Sequence, residues 1–373
     1  MIQIYADGIL AYDSRLENYD LIGLKVTTGL NVGGTAEITM PPGHPAFNYF
    51  IDYRTIVTIY RDGALRFRGR ALYSVDNYHG QRTITCEGEM CLLRDGLYDP
   101  YPGIVPDRVT DLNLPTNVFT GALEAYNSQV EEFKRFKIGT ISLTDYEDDP
   151  QMGGGYIRIS VANATPVLDI INKLVEICGG YIVFTTDEDG ARVINWLDSL
   201  TNRSRQEIEF GKNLLDFSSS GSNNTQLATG IIPYGKEKNG YRTNILGALV
   251  NGEAYDKSYI IDEEAQALRG TIMTTRVWDD IGDETKLYNA AKAYLAQLTN
   301  PVTALTLTAM DLSHMDKDMG SFKVGDWIRV ISAPHKVDEY FQLSQMTEDM
   351  INPSQSTINL GKKTETLTGA RQK

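Results

Sequence analysis

Phe322-Lys323-Val324-Gly325-Asp326-Trp327-Ile328-Arg329-Val330 decides the fold when it is read with Asn352-Pro353-Ser354-Gln355-Ser356-Thr357-Ile358-Asn359-Leu360-Gly361. Gly325-Asp326 is a turn signal. From Trp327 the side chains alternate, with Trp327, Arg329 and Ile331 on one face and Ile328 and Val330 on the other, the period of two that a half-buried strand requires. Both phrases read as barrel strands and neither carries a catalytic pattern.

Outward from these phrases, the N-terminal region is also β. Thr55 to Tyr60 and Leu65 to Arg70 flank the turn Arg61-Asp62-Gly63-Ala64, and Asp-Gly between alternating runs is a strong hairpin signal. A second pair, Ala71 to Asn77 and Gln81 to Cys86, turns at His79-Gly80. Leu65 and Phe67 are expected on one face, Arg66 and Arg68 on the other. Pro100, Pro102, Pro106 and Pro115 then crowd one short span, which marks a domain junction near residue 97.

Beyond the junction, Thr120 to Phe136 places Leu123, Tyr126, Val130 and Phe133 at helical spacing, and Ile138 to Leu143 resumes as strand. A clearer helix is expected over 165–178, with Thr165 as cap, Pro166 in the first turn and Gly179-Gly180 as the stop. Its core face is Val167, Ile170, Ile171, Leu174, Val175 and Cys178. A hairpin from Tyr181 to Trp196 turns at Asp187-Glu188-Asp189-Gly190. The polar stretch Asp216 to Gly230 reads as a crossing between domains. A last helix over 283–298 buries Leu287, Ala290, Ala291, Tyr294, Leu295 and Leu298 and ends at Asn300-Pro301. Strands Val302 to Ala309, Tyr340 to Thr347 and Ser356 to Leu360 complete the reading.

The expected fold class is therefore a β-rich, multidomain α+β protein. A first β-barrel spans 1–96 and is completed by 207–240; an α+β domain spans 97–206; a second barrel with an associated α+β part spans 241–373. The 373 residues, 42% hydrophobic and 23% charged, suit two to four folded domains. A net charge of −14 argues against a grip on phosphate backbones, which needs Lys and Arg to neutralise phosphates. Apolar stretches such as Ile245 to Val250 fall far short of the ~20 residues of a spanning helix. The three cysteines, Cys86, Cys91 and Cys178, at no metal-like spacing and without a signal peptide, fit synthesis in a reducing cytoplasm.

Chemistry is hard to find. The four histidines, His44, His79, His314 and His335, form no zinc-peptidase pattern. His79 and Cys86 invite a nucleophile reading, against which stand a turn histidine and a buried thiol. Gly235 and Gly240 have phosphate-loop spacing, but Tyr241-Arg242 stand where Lys and Ser or Thr are needed, so a hairpin turn is expected. Gly153-Gly154-Gly155 reads as a turn. Acidic groups at Asp145, Glu147, Asp148 and Asp149, at Asp187 and Asp189, and at Asp279, Asp280 and Asp283 lack calcium-loop spacing and read as solvated surface. No catalytic, cofactor-binding or metal residue is assigned.

Several phrases in order resemble one family. They are Thr85-Cys86-Glu87-Gly88 with Leu92-Leu93 and Asp95; Ala122 to Val130 with Phe136-Lys137-Ile138-Gly139; Val167 to Gly180 with Tyr181-Ile182; Gln206-Glu207-Ile208 with Gly211 to Asp216; Thr229 to Gly235; and Asp311-Leu312-Ser313. They are similar to the siphophage tail-associated hub proteins, the prophage endopeptidase tail family, although Tyr126 stands where relatives often carry His. The resemblance implies a fold like the baseplate hub of contractile tails, with two tail-tube-like β-barrels and two α+β domains, assembled as a homotrimer in the virion tail tip. It implies a non-enzymatic ring that joins a sixfold distal tail to a threefold tip. Its partners would be the distal tail protein, the tape measure protein and downstream baseplate or receptor-binding proteins, with no membrane span. Genomic DNA would leave through the ring without specific binding. In longer relatives lytic or receptor-binding activity resides beyond the hub. This chain ends at Lys373, shortly after Gly361, so no catalytic residue is carried over. A cell-wall peptidase or glycosidase and a carbohydrate-binding adhesin are the competing readings, the second permitted by 21 tyrosines.

Overall fold

The computed structural model describes residues 1–17, 19–99, 114–143, 163–220, 227–238, 240–250, 252–279, 281–299, 304–309, 311–314, 319–335 and 337–361. Its chain divides into one unit of Met1–Ser218 with Leu305–Gly361 and a second built on Ser219–Ala304.

The first unit begins with seven strands: β1 (Ile2–Ala6), β2 (Ile9–Asp13), β3 (Gly23–Gly29), β4 (Thr35–Met40), β5 (Ile56–Arg61), β6 (Ala64–Asp76) and β7 (Arg82–Gly88). They follow the order β3-β4-β7-β6-β5-β1-β2, and every adjacent pair is antiparallel. Ile4, Leu24, Val26, Ile38, Val57, Ile59 and Ile84 form their core. The β5–β6 turn is the one expected from Asp-Gly, with Asp62 at φ 49° and Gly63 at φ 77°. The face expected to hold Leu65 and Phe67 together is broken. The register shifts between Ile59 and Tyr60, so Phe67 is buried while Leu65 is exposed.

A distinct α+β layer follows. Helix α1 (Pro115–Gln129), strand β8 (Lys137–Ser142), helix α2 (Val167–Cys178), and strands β9 (Tyr181–Thr186) and β10 (Arg192–Leu197) enclose Phe119, Tyr126, Ile171, Leu174 and Trp196. Helix α1 starts before the expected Thr120 because Pro115 occupies the first turn, where a missing donor costs nothing. It stops at Gln129, leaving Phe133 exposed in a short 3-10 turn. Pro166, and not Thr165, is the N-cap of α2; the Thr165 hydroxyl donates to Asn163 O instead. Gly179 at φ 76° and Gly180 at φ 83° end that helix as expected.

Next, β11 (Ile208–Glu209) and β12 (Leu214–Ser220) enter a second β core and not the first. Ile208 packs among Leu307, Phe322, Ile328 and Leu343, with Leu214 against that cluster. The expectation that 207–240 completes the first barrel is thus corrected.

The second unit contains β13 (Gly230–Tyr234), β14 (Ile260–Ile261), α3 (Glu263–Arg269), β15 (Met273–Val277) and α4 (Glu284–Thr299). Strand β13 pairs antiparallel with β14 and parallel with β15. The expected face of α4 is buried through Leu287, Ala290, Ala291, Leu295 and Leu298, with Tyr294 packed at its margin. Asp283 Oδ1 accepts the Lys286 amide and so caps that helix.

Back in the first unit, β16 (Ala304–Ala309), β17 (Trp327–Ser332), β18 (Val337–Asp349) and β19 (Thr357–Gly361) finish the second core, in the order β12-β16-β19-β18-β17-β11. The alternation from Trp327 is as read, with Ile328 and Val330 fully buried. Strand β18 belongs to both β bodies. One of its edges pairs with β17 over Val337 to Gln342 and then with β3 over Gln345 to Asp349, while the other edge pairs with β19. Leu343 and Met346 fill the second core, and Met350, just past the strand, fills the first. The first body is therefore completed by the C-terminal return.

Candidate functional site

The sequence-level candidates for chemistry resolve into structure. His79 lies exposed in the β6–β7 turn, where Asn77 Oδ1 accepts the His79 amide at 2.9 Å. Cys86 is fully buried in β7, and burial pushes its thiol well above the ordinary range, the opposite of an activated nucleophile. Gly240 turns a hairpin between Glu237–Lys238 and Tyr241–Arg242. Asp187 accepts the amides of Asp189 and Ala191 and pairs with Lys137 at 2.5 Å. Asp279 pairs with Arg242 at 2.7 Å. Residues 145–149, Gly153 to Gly155 and Asp280 lie outside the described residues, as does the His314 side chain. Among the described residues no group of three or more His, Cys, Asp and Glu could hold a metal ion, and no helix is long and apolar enough to cross a membrane.

One contact imitates a catalytic pair. Ser332 Oγ lies 2.6 Å from His335 Nδ1. Ser332 is fully buried at the end of β17, so a substrate carbonyl has no approach to its hydroxyl, and His335 follows three residues later in a 3-10 turn. The pair closes a local turn.

The most elaborate constellation is a charged seam on β6, of which the sequence shows only half. Alternation sends Arg66 and Arg68, as expected, and Arg70 with them to the face opposite Phe67, but each guanidinium is then buried against a carboxylate from elsewhere. Arg61 and Arg66 flank Glu348 of β18, and Arg66 also donates to Phe322 O at 3.4 Å. Arg68 bonds Glu89 and reaches Thr185 O of β9 at 3.3 Å, while Arg192 of β10 holds the same Glu89 at 2.8 Å. Arg70 pairs with Glu87 at 2.6 Å and Asp95 at 2.5 Å, and Lys134 holds Asp95 at 3.2 Å. One strand thereby ties the first β body to the second β body and to the α+β layer.

The electrostatics differ along the seam. At Glu89, burial raises the carboxyl above its ordinary value despite Arg68 and Arg192, and burial likewise depresses Arg192. Desolvation outweighs attraction there, as is common for buried ion pairs. At Arg70, burial opposes the charge, but Asp95 and Glu87 overcome it and raise the guanidinium. Neutral contacts fasten the same layers: Asn31 donates to Gly180 O at 2.9 Å and accepts the Ile182 amide at 2.8 Å, and Tyr181 donates to Gln342 Oε1 at 3.0 Å. The signal available in sequence is the alternating Arg66, Arg68 and Arg70; their carboxylate partners, among them Glu348, which also pairs with Arg61 287 residues away, carry no local signature.

Comparison with known proteins agrees with this architecture. Residues 201–370 match the sequence profile of the family described as prophage endopeptidase tail. No curated relative matches by sequence. The fold is similar to the 43 kDa tail protein of prophage MuSo2 from Shewanella oneidensis, at 15% identity and TM-score 0.61 over 96% of this chain and 97% of that one. It is similar to the prophage tail protein gp18 of Listeria monocytogenes EGD-e, at 14% identity and TM-score 0.54 over 99% and 96%. It is also similar to a tail protein of Neisseria meningitidis MC58, at 12% identity and TM-score 0.58 over 99% and 98%. The chain thus joins a prophage endopeptidase tail sequence over residues 201–370 to the β-rich α+β fold of the prophage tail proteins over nearly its whole length.

Proposed function

We propose that this protein is a structural hub of a phage or prophage tail tip, acting without catalysis as a trimeric ring. The observation that carries the reading is β18, one strand common to two β bodies, so that each chain brings two such bodies to an assembly as a joined pair. Three chains then bring six, and a ring that is threefold in sequence becomes close to sixfold in shape. Closing it requires head-to-tail contacts between copies. The family match over residues 201–370 and the three tail proteins of like fold support the placement in a tail. The distal tail protein would dock on the sixfold side, the tape measure protein would end at the ring, and downstream baseplate or receptor-binding proteins would attach at the threefold side. The acidic balance of −14 suits a channel past which DNA moves without adhering. Synthesis would take place in the host cytoplasm and residence in the virion.

Binding of the purified chain to its distal tail protein tests the placement. Co-elution of the pair on a sizing column is the expected result, and separate elution at micromolar concentrations would contradict it. The family's endopeptidase description motivates the competing enzymatic reading. Incubation with purified host sacculi separates the two: no soluble muropeptides are expected, and their release would make the chain a hydrolase.

A further inference from the structure

The two β bodies of the first unit each present an exposed aromatic surface, and the two surfaces differ in charge. On the first body, Glu37 of β4, Thr85 of β7 and Tyr73 of β6 form one cross-strand row, and Val75 pairs with Thr83 two residues further along. Tyr73 is 47% and Val75 56% exposed. Tyr53, 60% exposed, joins them from the β4–β5 connection: its amide donates to Ala71 O, and the Arg70 guanidinium stands 5.5 Å from its ring centre. Its φ of 59° is a left-handed conformation that a bulky side chain adopts at a cost, so the fold displays this ring against strain. Glu37 and Asp52 are exposed and make no ion pair among the described residues; Lys25, opposite Glu37, reaches Asp349 at 4.0 Å, and Arg82 pairs with Asp76. Arg54 is exposed beside Asp52.

The second body carries the opposite sign. Arg203 lies beside Trp327 at the start of β17, and its guanidinium stands 4.8 Å from the centre of the Tyr340 ring, itself 40% exposed. Arg205, two residues on, is also exposed. Arg329, across from Tyr340, is held by Asp338 and Glu207, whereas Arg203 and Arg205 make no ion pair among the described residues.

Given the trimeric reading above, we infer that the ring closes through these two surfaces: Arg203 and Arg205 of one copy meet Glu37 and Asp52 of the next, while Tyr53, Tyr73 and Val75 pack against Tyr340. A chain of net charge −14 repels its own copies, so a contact between them forms where unpaired cations of one face unpaired carboxylates of the other. Tyrosine and arginine are also the side chains that carry most of the energy of protein contacts, and a guanidinium lies favourably on an aromatic face. The two surfaces are unlike and sit on different bodies, so each copy offers one to the neighbour before it and the other to the neighbour after it. That is the head-to-tail arrangement a closed ring of three requires.

A charge exchange on the full chain tests this, read as copies per particle by light scattering in whichever state, alone or with the distal tail protein, gives three. Arg203→Glu with Arg205→Glu sets carboxylates against carboxylates at every contact and is expected to reduce three copies to one. Adding Glu37→Lys and Asp52→Lys to the same chain restores opposite charges across the contact and is expected to return three. A double variant that keeps three copies overturns the contact and leaves the ring standing. A four-site chain that stays at one copy also overturns it, and gives the two arginines to a different partner. Should the four-site chain not fold, Tyr73→Thr with Val75→Thr decides from the first body: one copy supports the contact and three overturn it. An unmodified chain with one copy in both states removes the ring and this contact together.

Discussion

Glu89 illustrates how a single residue in this fold can be both costly and necessary. Its carboxylate is buried between Arg68 and Arg192, and burial works against the charge of Glu89 and Arg192 alike. Removing it leaves two buried guanidinium groups without their shared anion. Glu89→Gln is therefore expected to lower unfolding free energy by about 3–5 kcal/mol in urea titrations, as breaking one side of a buried ion pair does. Replacing all three charges by Arg68→Met, Glu89→Leu and Arg192→Met is expected to leave stability unchanged or raise it by about 1–4 kcal/mol. A small loss for Glu89→Gln would mean that the seam is solvated. Close backbone approach is the other residue-scale constraint. A Cβ on Gly88 would collide with Gly33 O, so Gly88→Ala should cost about 1–3 kcal/mol or more by forcing the Gly33–Gly34 turn off β7. An unchanged urea midpoint for that variant would rule out so close an approach. The partners across the seam and this close approach are not legible in the sequence, because alternation says which way Arg66, Arg68 and Arg70 point and nothing about Glu89, Arg192 or Glu348, which arrive by tertiary folding.

Elements with their own periodicity were read well, and their ends less so. The α2 face of Val167, Ile170, Ile171, Leu174 and Cys178 is buried as the spacing requires, with Val175 only partly buried at its margin, because an amphipathic stripe has one place to go. Leu174→Ala in that face should cost about 2–5 kcal/mol and lower the thermal midpoint accordingly. A loss below about 1 kcal/mol would place α2 outside the core. The start of α1 was misplaced because Pro115 stood in a proline-rich span that reads as irregular, although proline suits a first helical turn. Thr165 reads as a cap because a hydroxyl before an apolar run is a strong local signal, yet its hydroxyl turns back to Asn163 O. Strand β18 shows the limit most clearly: the sequence marks Tyr340 to Thr347 as strand, but not that Gln345 to Asp349 pairs with β3 at the other end of the chain. Local alternation fixes a strand's faces and leaves its neighbours to be chosen by the whole fold.

For the whole molecule, the β bodies, the α+β layer and the second unit account for nearly all described residues. The buried charges tie layers together, the Ser332–His335 contact is inaccessible to substrate, and the family and fold matches lie with tail proteins. The proposed ring of six rests on two β bodies that share β18 in each of three chains. The most direct test is the absolute mass of the purified full-length chain by light scattering behind a sizing column, alone and with its distal tail protein. The expected result is three copies of this chain per particle in at least one of the two states. One copy per particle in both states would contradict the ring.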